Sequence, residues 1–314
     1  MGTAVVLALR ELGAEVIPIP TPRVSVAWGS QLGDWQQVAG SASVLTPLVA
    51  ALRSSEAVVN CAGIANPGAV ASPALYGANA LVPILLWEAC RRADVARFVH
   101  VSSAAVQGDR EILDESEAVS PLTPYATSKA AGERLLRASN PQGVTIIRPT
   151  SVHGHDRPLT ARLARFARSR FSSVAGSGDR TSPQVLVQNV GSAVARLASC
   201  ADVPPPIVLQ PAEGQTVRSV LRVLGLGREP RHVPEYLARA VLAATGVASS
   251  DPRLASARRR LQILWFGQGQ SAGWLASQGF TPPAGADGWV TLAAALAERG
   301  SLDSTRRHAR SKPW

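Results

Sequence analysis

Tyr125 and Lys129, in the run Pro124-Tyr-Ala-Thr-Ser-Lys129, have the types and spacing of an acid/base device. On a helix, residues i and i+4 share one face, so an ammonium can act on a phenol one turn away. A free phenol titrates near pH ~10, and a nearby positive charge favours the phenolate and lowers that value. Tyr125 could then exchange a proton with a substrate hydroxyl or carbonyl at neutral pH. With three tyrosines and two lysines in the chain, a chance YxxxK is expected in about one such sequence in fifty. The bland alternative is an exposed helix on which the two residues flank a polar face.

The elements that must position this pair follow from periodicity. A helix through residues 125–138 lies between two short apolar strands, 98–102 and 144–149. Upstream, residues 3–12 repeat apolar groups at helical spacing and stop at Gly13, after which 14–19 reads as a buried strand. A helix at 45–53, a strand at 57–62 and a helix at 79–92 continue the alternation. Such alternation predicts an α/β fold with a parallel sheet covered on both faces. Beyond about residue 155 strands become sparse, and helical patterns at 159–170, 217–226 and 236–245 predict a smaller second domain. The polar, basic residues 301–314 are expected to be disordered.

At 314 residues the chain can bury a large core. No apolar run reaches the ~18 residues of a membrane span, and the longest candidate, 80–87, contains Pro83. The start lacks the basic segment of a secretory signal, so a soluble, cytoplasmic protein is expected. Cys61, Cys90 and Cys200 have no metal-ligand spacing, and neither a disulfide nor a metal is expected. The net charge is +10, but the arginines are spread out apart from Arg258-Arg-Arg260 and the tail, so nucleic acid is not the expected partner.

Several local signatures fall in one order. Val58-Val-Asn-Cys-Ala-Gly63, Asn79, Val99-His-Val-Ser-Ser-Ala-Ala-Val-Gln-Gly108, the YxxxK pair and Arg148-Pro-Thr-Ser-Val-His-Gly154 together resemble the extended short-chain dehydrogenase/reductase family. That family comprises NAD(P)-dependent epimerases, dehydratases and reductases, UDP-galactose 4-epimerase among them. The resemblance implies a Rossmann-type doubly wound parallel sheet over residues 1–170, a substrate-binding domain over 171–300 and a basic tail over 301–314. It also implies that Ser103 hydrogen-bonds the reacting oxygen, that Tyr125 transfers its proton, and that Lys129 binds the nicotinamide ribose while lowering the tyrosine pKa. Cofactor contacts are implied for Gly2, Thr21, Arg23, Asn60, Ala62, Gly63, Asn79, Pro149, Thr150 and Ser151, and substrate contacts for Ser103, Ala104 and Arg180.

The pattern also breaks. The family begins with a strand and a GxxGxxG turn, whereas Gly2 matches only the last of those glycines. Met1 is therefore expected to be an internal residue of a longer natural protein. Pro20, followed by Thr21 and Arg23, stands where a carboxylate would hold the ribose of NAD, which favours NADP over NAD. Ser182 replaces an arginine usual in the substrate domain, with Arg180 two residues earlier, while Gln107 and His153 replace tyrosines. A lone histidine there is more often packing or solvent-facing than catalytic. Ala104-Ala105 occupy the place of the acidic pair in 4,6-dehydratases, so dehydration is disfavoured. The expected activity is that of a nucleotide-sugar epimerase or ketoreductase, with a non-catalytic dinucleotide-sensing or scaffold protein as the alternative. A homodimer is expected through the helices at 79–92 and 123–138.

Overall fold

The computed structural model describes residues 1–26, 31–41, 43–139, 141–246 and 252–310. The chain opens with three helices, α1 (Gly2–Glu11), α2 (Leu32–Ser41) and α3 (Leu45–Leu52), before strand β1 (Ala57–Asn60). Helix α4 (Pro73–Tyr76) passes through a π turn, Gly77–Leu81, into α5 (Val82–Arg92). Strand β2 (Arg97–Val101), a 3-10 turn at Ala104–Gln107 and β3 (Ile112–Leu113) lead to α6 (Pro124–Ala138), β4 (Val144–Arg148) and β5 (Ser151–His153). Next come α7 (Pro158–Arg168), β6 (Ser173–Ala175), β7 (Gln184–Leu186), α8 (Val187–Ser199) and β8 (Ile207–Leu209). The chain continues with α9 (Val217–Leu224), β9 (Arg231–Val233), α10 (Glu235–Gly246), α11 (Pro252–Phe266), β10 (Gly269–Gln270), α12 (Trp274–Ser277) and α13 (Ala286–Arg310).

Strands β1, β2, β4 and β8 form one parallel sheet in that order. The register pairs Asn60 with His100, Val101 with Ile147 and Arg148 with Leu209, so the carboxyl ends of all four strands lie along one edge. Alternate residues serve opposite faces. Phe98, Val144 and Ile146 pack with Leu45, Leu48 and Leu52 of α3 and Ile84 and Leu85 of α5. Val99, Val101, Ile147 and Val208 pack instead with Val5 of α1 and Val190 and Val194 of α8. Apolar residues on both faces are what a sheet covered by two helical layers requires.

The second unit has its own core, in which Trp289, Leu292 and Leu296 of α13 meet Val220, Leu221 and Leu224 of α9. Its anchor is Glu213, whose carboxylate accepts from Trp289 Nε1 (2.7 Å), Leu186 N (2.8 Å) and Asn189 Nδ2. The chain then returns to the first unit. Strand β10 pairs in parallel with β3, Gln268 Nε2 donates to the Arg110 carbonyl at 2.7 Å, and Trp274 N donates to the Glu115 carboxylate at 3.0 Å.

Three expectations need correction. Residues 14–19 form no strand, and Ile17 is 66% exposed. Pro18 and Pro20 remove two donors, and no strand among the described residues pairs with the segment. Residues 301–310, expected to be disordered, continue α13, whose first turns are fixed in the core by Trp289 and Leu292; residues 311–314 lie outside the described residues. Helix α2 was not expected at all; Trp35 and Ala39 pack it onto the cluster that contains α5.

Candidate active site

Thr123 starts α6 by accepting from Ala126 N through its hydroxyl (3.2 Å), and Pro124 occupies the first helical position. That places Tyr125 in the first turn, 7% exposed. Lys129, one turn on and 4% exposed, donates from Nζ to the carbonyl of Val101 at 3.0 Å. Ser103 follows the end of β2 in extended conformation and caps the 3-10 turn by accepting from Ala105 N at 3.2 Å. Its hydroxyl also lies near enough to the Tyr125 phenol to draw that group's pKa down, so capping and proximity to the tyrosine coexist. The structure thus brings Ser103, Tyr125 and Lys129 together at the carboxyl ends of the strands.

The electrostatics differ from the simple expectation. Burial raises the Tyr125 pKa, opposed by the nearby Ser103 hydroxyl and by the positive charge of Arg157. Burial lowers the Lys129 pKa to about 8, while Glu133 and Cys61 pull it upward. His100 is held neutral by burial and by Lys129. The Asn60 side chain accepts from Ala62 N at 2.9 Å, which orients its amide to donate to His100 Nδ1 at 3.1 Å. His100 therefore carries its proton on Nε2, a buried atom without a partner.

The turn after β1 is built closely against this group. Gly63 has φ +147°, and a Cβ there would stand 2.6 Å from Asn79 Oδ1 and 3.1 Å from Lys129 Nζ. Asn79 lies within the π turn and is fully buried; it accepts from Ile64 N at 2.9 Å and donates to Ser128 Oγ at 2.9 Å. Its amide holds the Gly63-Ile64 turn, donating also to the Ile64 carbonyl at 3.2 Å. Gly132 permits this contact, because a Cβ would come within 2.4 Å of the Asn79 carbonyl. The amino terminus of α1 comes to the same place, for Gly2 faces Cys61.

On the other side, the Pro149 carbonyl accepts from Ala104 N at 2.8 Å and ties the ends of β2 and β4 together. The backbone N–H of Ala104 is therefore engaged within the chain. Thr150 Oγ1 is buried without a partner, and Ser151 begins β5, which pairs with β7. A helix amino terminus beside Cys61, a turn pared to glycine beside Lys129 and an orphaned hydroxyl at Thr150 fit a dinucleotide across these strand ends.

Other expected residues lie elsewhere. Thr21 and Arg23 are exposed on the irregular segment 14–26. Arg180 forms an ion pair with Glu235 at 3.0 Å, over the Phe266 ring, and does not reach the Ser103 group. His153 is buried, with Nε2 on Gln184 Oε1 and its ring against Trp289; burial lowers its pKa to about 4. Gln107 donates to Asp114 at 2.7 Å.

Several residues escaped sequence reasoning. Arg157, half-buried at the start of α7, supplies the cation facing Tyr125. Arg259 donates to the Gly108 carbonyl at 2.7 Å, and Arg260, whose charge meets that of Arg162, reaches the loop at Gly68. These arginines meet the loops that follow β1 and β2. The run Arg258-Arg-Arg260 was the available signal, but nothing local said which loops it would cover.

Parallel strands wound between two helical layers, with Ser103, Tyr125 and Lys129 at their carboxyl ends, define a Rossmann-type fold. The chain belongs to the NAD dependent epimerase/dehydratase family, which matches residues 1–204. It is 40% identical over 86 residues to the UDP-glucose 4-epimerase of Neisseria gonorrhoeae, a match covering 26% of this chain. The chain spans about a quarter of the length of that curated relative, 25% of it being matched. Among solved structures it is similar to MoeE5 in complex with UDP-glucuronic acid and NAD, with TM-score 0.59, 22% identity and coverage of 95% and 96% of the two chains. A dTDP-glucose 4,6-dehydratase of Streptomyces venezuelae with NAD bound gives TM-score 0.58 at 20% identity, covering 96% of this chain and 95% of the other. The UDP-glucose 4-epimerase of Thermotoga maritima with UDP-glucose gives 0.56 at 18%, covering 95% and 96%. No helix among the described residues is long and apolar enough to cross a membrane.

Proposed function

We propose that this chain is an NAD(P)-dependent nucleotide-sugar epimerase or ketoreductase in which Ser103, Tyr125 and Lys129 act on a carbinol or keto carbon. The grouping of the Ser103 hydroxyl, the buried Tyr125 phenol and the Lys129 ammonium at the end of β2 carries this reading. When bound, the nicotinamide supplies or removes hydride at that carbon. The chain's own residues manage the proton. Tyr125 exchanges it with the sugar oxygen, Ser103 holds that oxygen by hydrogen bonding, and Arg157 favours the phenolate. Lys129 and the Asn60–Gly63 turn would hold the nicotinamide half, with Thr150 offering its hydroxyl.

Arg162, Arg259 and Arg260 supply positive charge suited to a nucleotide diphosphate. The second unit, from about residue 171, would carry the rest of the sugar-nucleotide site. An exposed Arg23 and the lack of an acid at Pro20 favour NADP, whereas the similar structures hold NAD. A cytoplasmic homodimer is also proposed. Its contact would use the open side of α6, at Thr127 and Arg134, because α2 and α3 cover α5 within the chain.

The test is conversion of UDP-glucose to UDP-galactose, or reduction of its 4-keto derivative, with NAD and NADP supplied in turn and the mass of the active species read by sedimentation. Tyr125→Phe is expected to abolish turnover while cofactor binding persists. Cofactor binding without turnover in the unaltered chain would favour the non-catalytic alternative. Equal turnover by the phenylalanine variant would remove Tyr125 from the chemistry.

A further inference from the structure

Tyr125, Lys129 and Glu133 stand at positions i, i+4 and i+8 of α6, in one stripe. Glu133 touches no reacting group in the proposed chemistry, yet it is fully buried and its carboxylate is clamped from two strands. Arg148, at the end of β4, donates from Nε to Oε1 at 3.1 Å and from Nη2 to Oε2 at 2.7 Å. Ser102, after the end of β2, donates from its hydroxyl to Oε1 at 2.5 Å. Arg148 also donates from Nη1 to the carbonyl of Ser116 at 2.7 Å, in the segment that leads into α6.

Each anchor adjoins a working residue. Ser102 precedes Ser103, Arg148 precedes the Pro149-Thr150 turn, and Glu133 follows Lys129 by one turn of the same helix. A fully desolvated ion pair gives little net stability over well-packed apolar residues of similar volume. Stability alone therefore explains poorly why charge is spent at this junction, where three chain segments must be held in register to within a fraction of an ångström. We infer that Glu133 is a positioning residue: its clamp on Ser102 and Arg148 fixes the Ser103 hydroxyl and the Pro149–Ser151 turn relative to Tyr125 and Lys129. The inference rests on the function proposed above.

The test uses the full chain in three forms. Glu133→Gln keeps the shape but leaves Arg148 without its counter-charge, and the variant is at risk of misfolding. Glu133→Met with Arg148→Met removes both charges at once, and apolar replacement of such a pair is often neutral or stabilising. Ser102→Ala releases only the serine segment. Turnover, KM and melting temperature are measured on each, together with amide hydrogen exchange of the peptides spanning 102–108 and 149–153.

The double variant is expected to melt near the unaltered chain and to show faster exchange in those two peptides. Its kcat should fall about 100-fold, the scale of a 1 Å misplacement, with KM within about threefold. Ser102→Ala should show the exchange effect in 102–108 alone. A folded double variant with unaltered kcat and unaltered exchange would overturn the inference. If the unaltered chain turns over no sugar nucleotide, the proposed function fails by itself, and local exchange still decides whether the clamp orders these two segments.

Discussion

At Tyr125 two effects oppose one another: burial holds the proton on the phenol, while the nearby Ser103 hydroxyl and the Arg157 charge draw it off. Lys129 has the opposite problem, since burial brings its pKa down to about 8 although Glu133 and Cys61 support the ammonium. The neutral His100 is the remaining titratable neighbour, and it adds no charge. If catalysis requires the ammonium, kcat/KM is expected to fall as pH rises through about 8, where Lys129 loses its proton. Arg157→Met should raise the phenol pKa further, moving the acid limb to higher pH and lowering neutral-pH activity by roughly tenfold. A profile flat to pH ~9.5 would remove the ammonium from the reaction, and an unmoved acid limb would remove Arg157. Ser103, Tyr125 and Lys129 were legible because a strand end and a helical repeat mark them locally. Arg157 was not, because only the turn after β5 aims it at the phenol. The Glu133 clamp left a fainter trace, an arginine closing the apolar run Val144–Arg148 and an acid in the buried stripe of α6.

Among the elements, α6 and the π turn meet at a distance only glycine allows. Gly132→Val is expected to destabilise the chain by about 1–3 kcal/mol, the range for overpacking, because a side chain there would strike the Asn79 carbonyl. Denaturant unfolding measures it, and a change below about 0.5 kcal/mol would mean that the two elements can move apart freely. The helices α1, α3, α5 and α6 and the strands β1, β2 and β4 could be read from the sequence because each carries its own periodicity. The segment 14–19 could not. Its apolar residues look like a strand, but a strand exists only when a neighbour takes its backbone groups, and no sequence window contains the neighbour. Helix α2 escaped for the converse reason, since its packing through Trp35 and Ala39 is tertiary.

For the whole molecule, the second unit hangs on Trp289, whose indole fills the α9–α13 core and donates to Glu213. Trp289→Ala is expected to cost about 3–5 kcal/mol, lost first from the second unit, so calorimetry should show its transition separating below that of the sheet. A single unsplit transition at the original temperature would contradict this. A thinning of strands beyond about residue 155 was visible in the sequence, but the return of the chain was not, because β10 is two residues long. That return sets an order in time. The loop between Ser103 and Tyr125 is closed by Arg259, Gln268, Ser271 and Trp274, which bond to residues 108–115 across more than 150 positions of sequence. Closing so long a span is entropically late and kinetically slow. On a ribosome, the sheet and α6 can assemble early, but the wall of the reaction chamber waits until residue 274 has emerged.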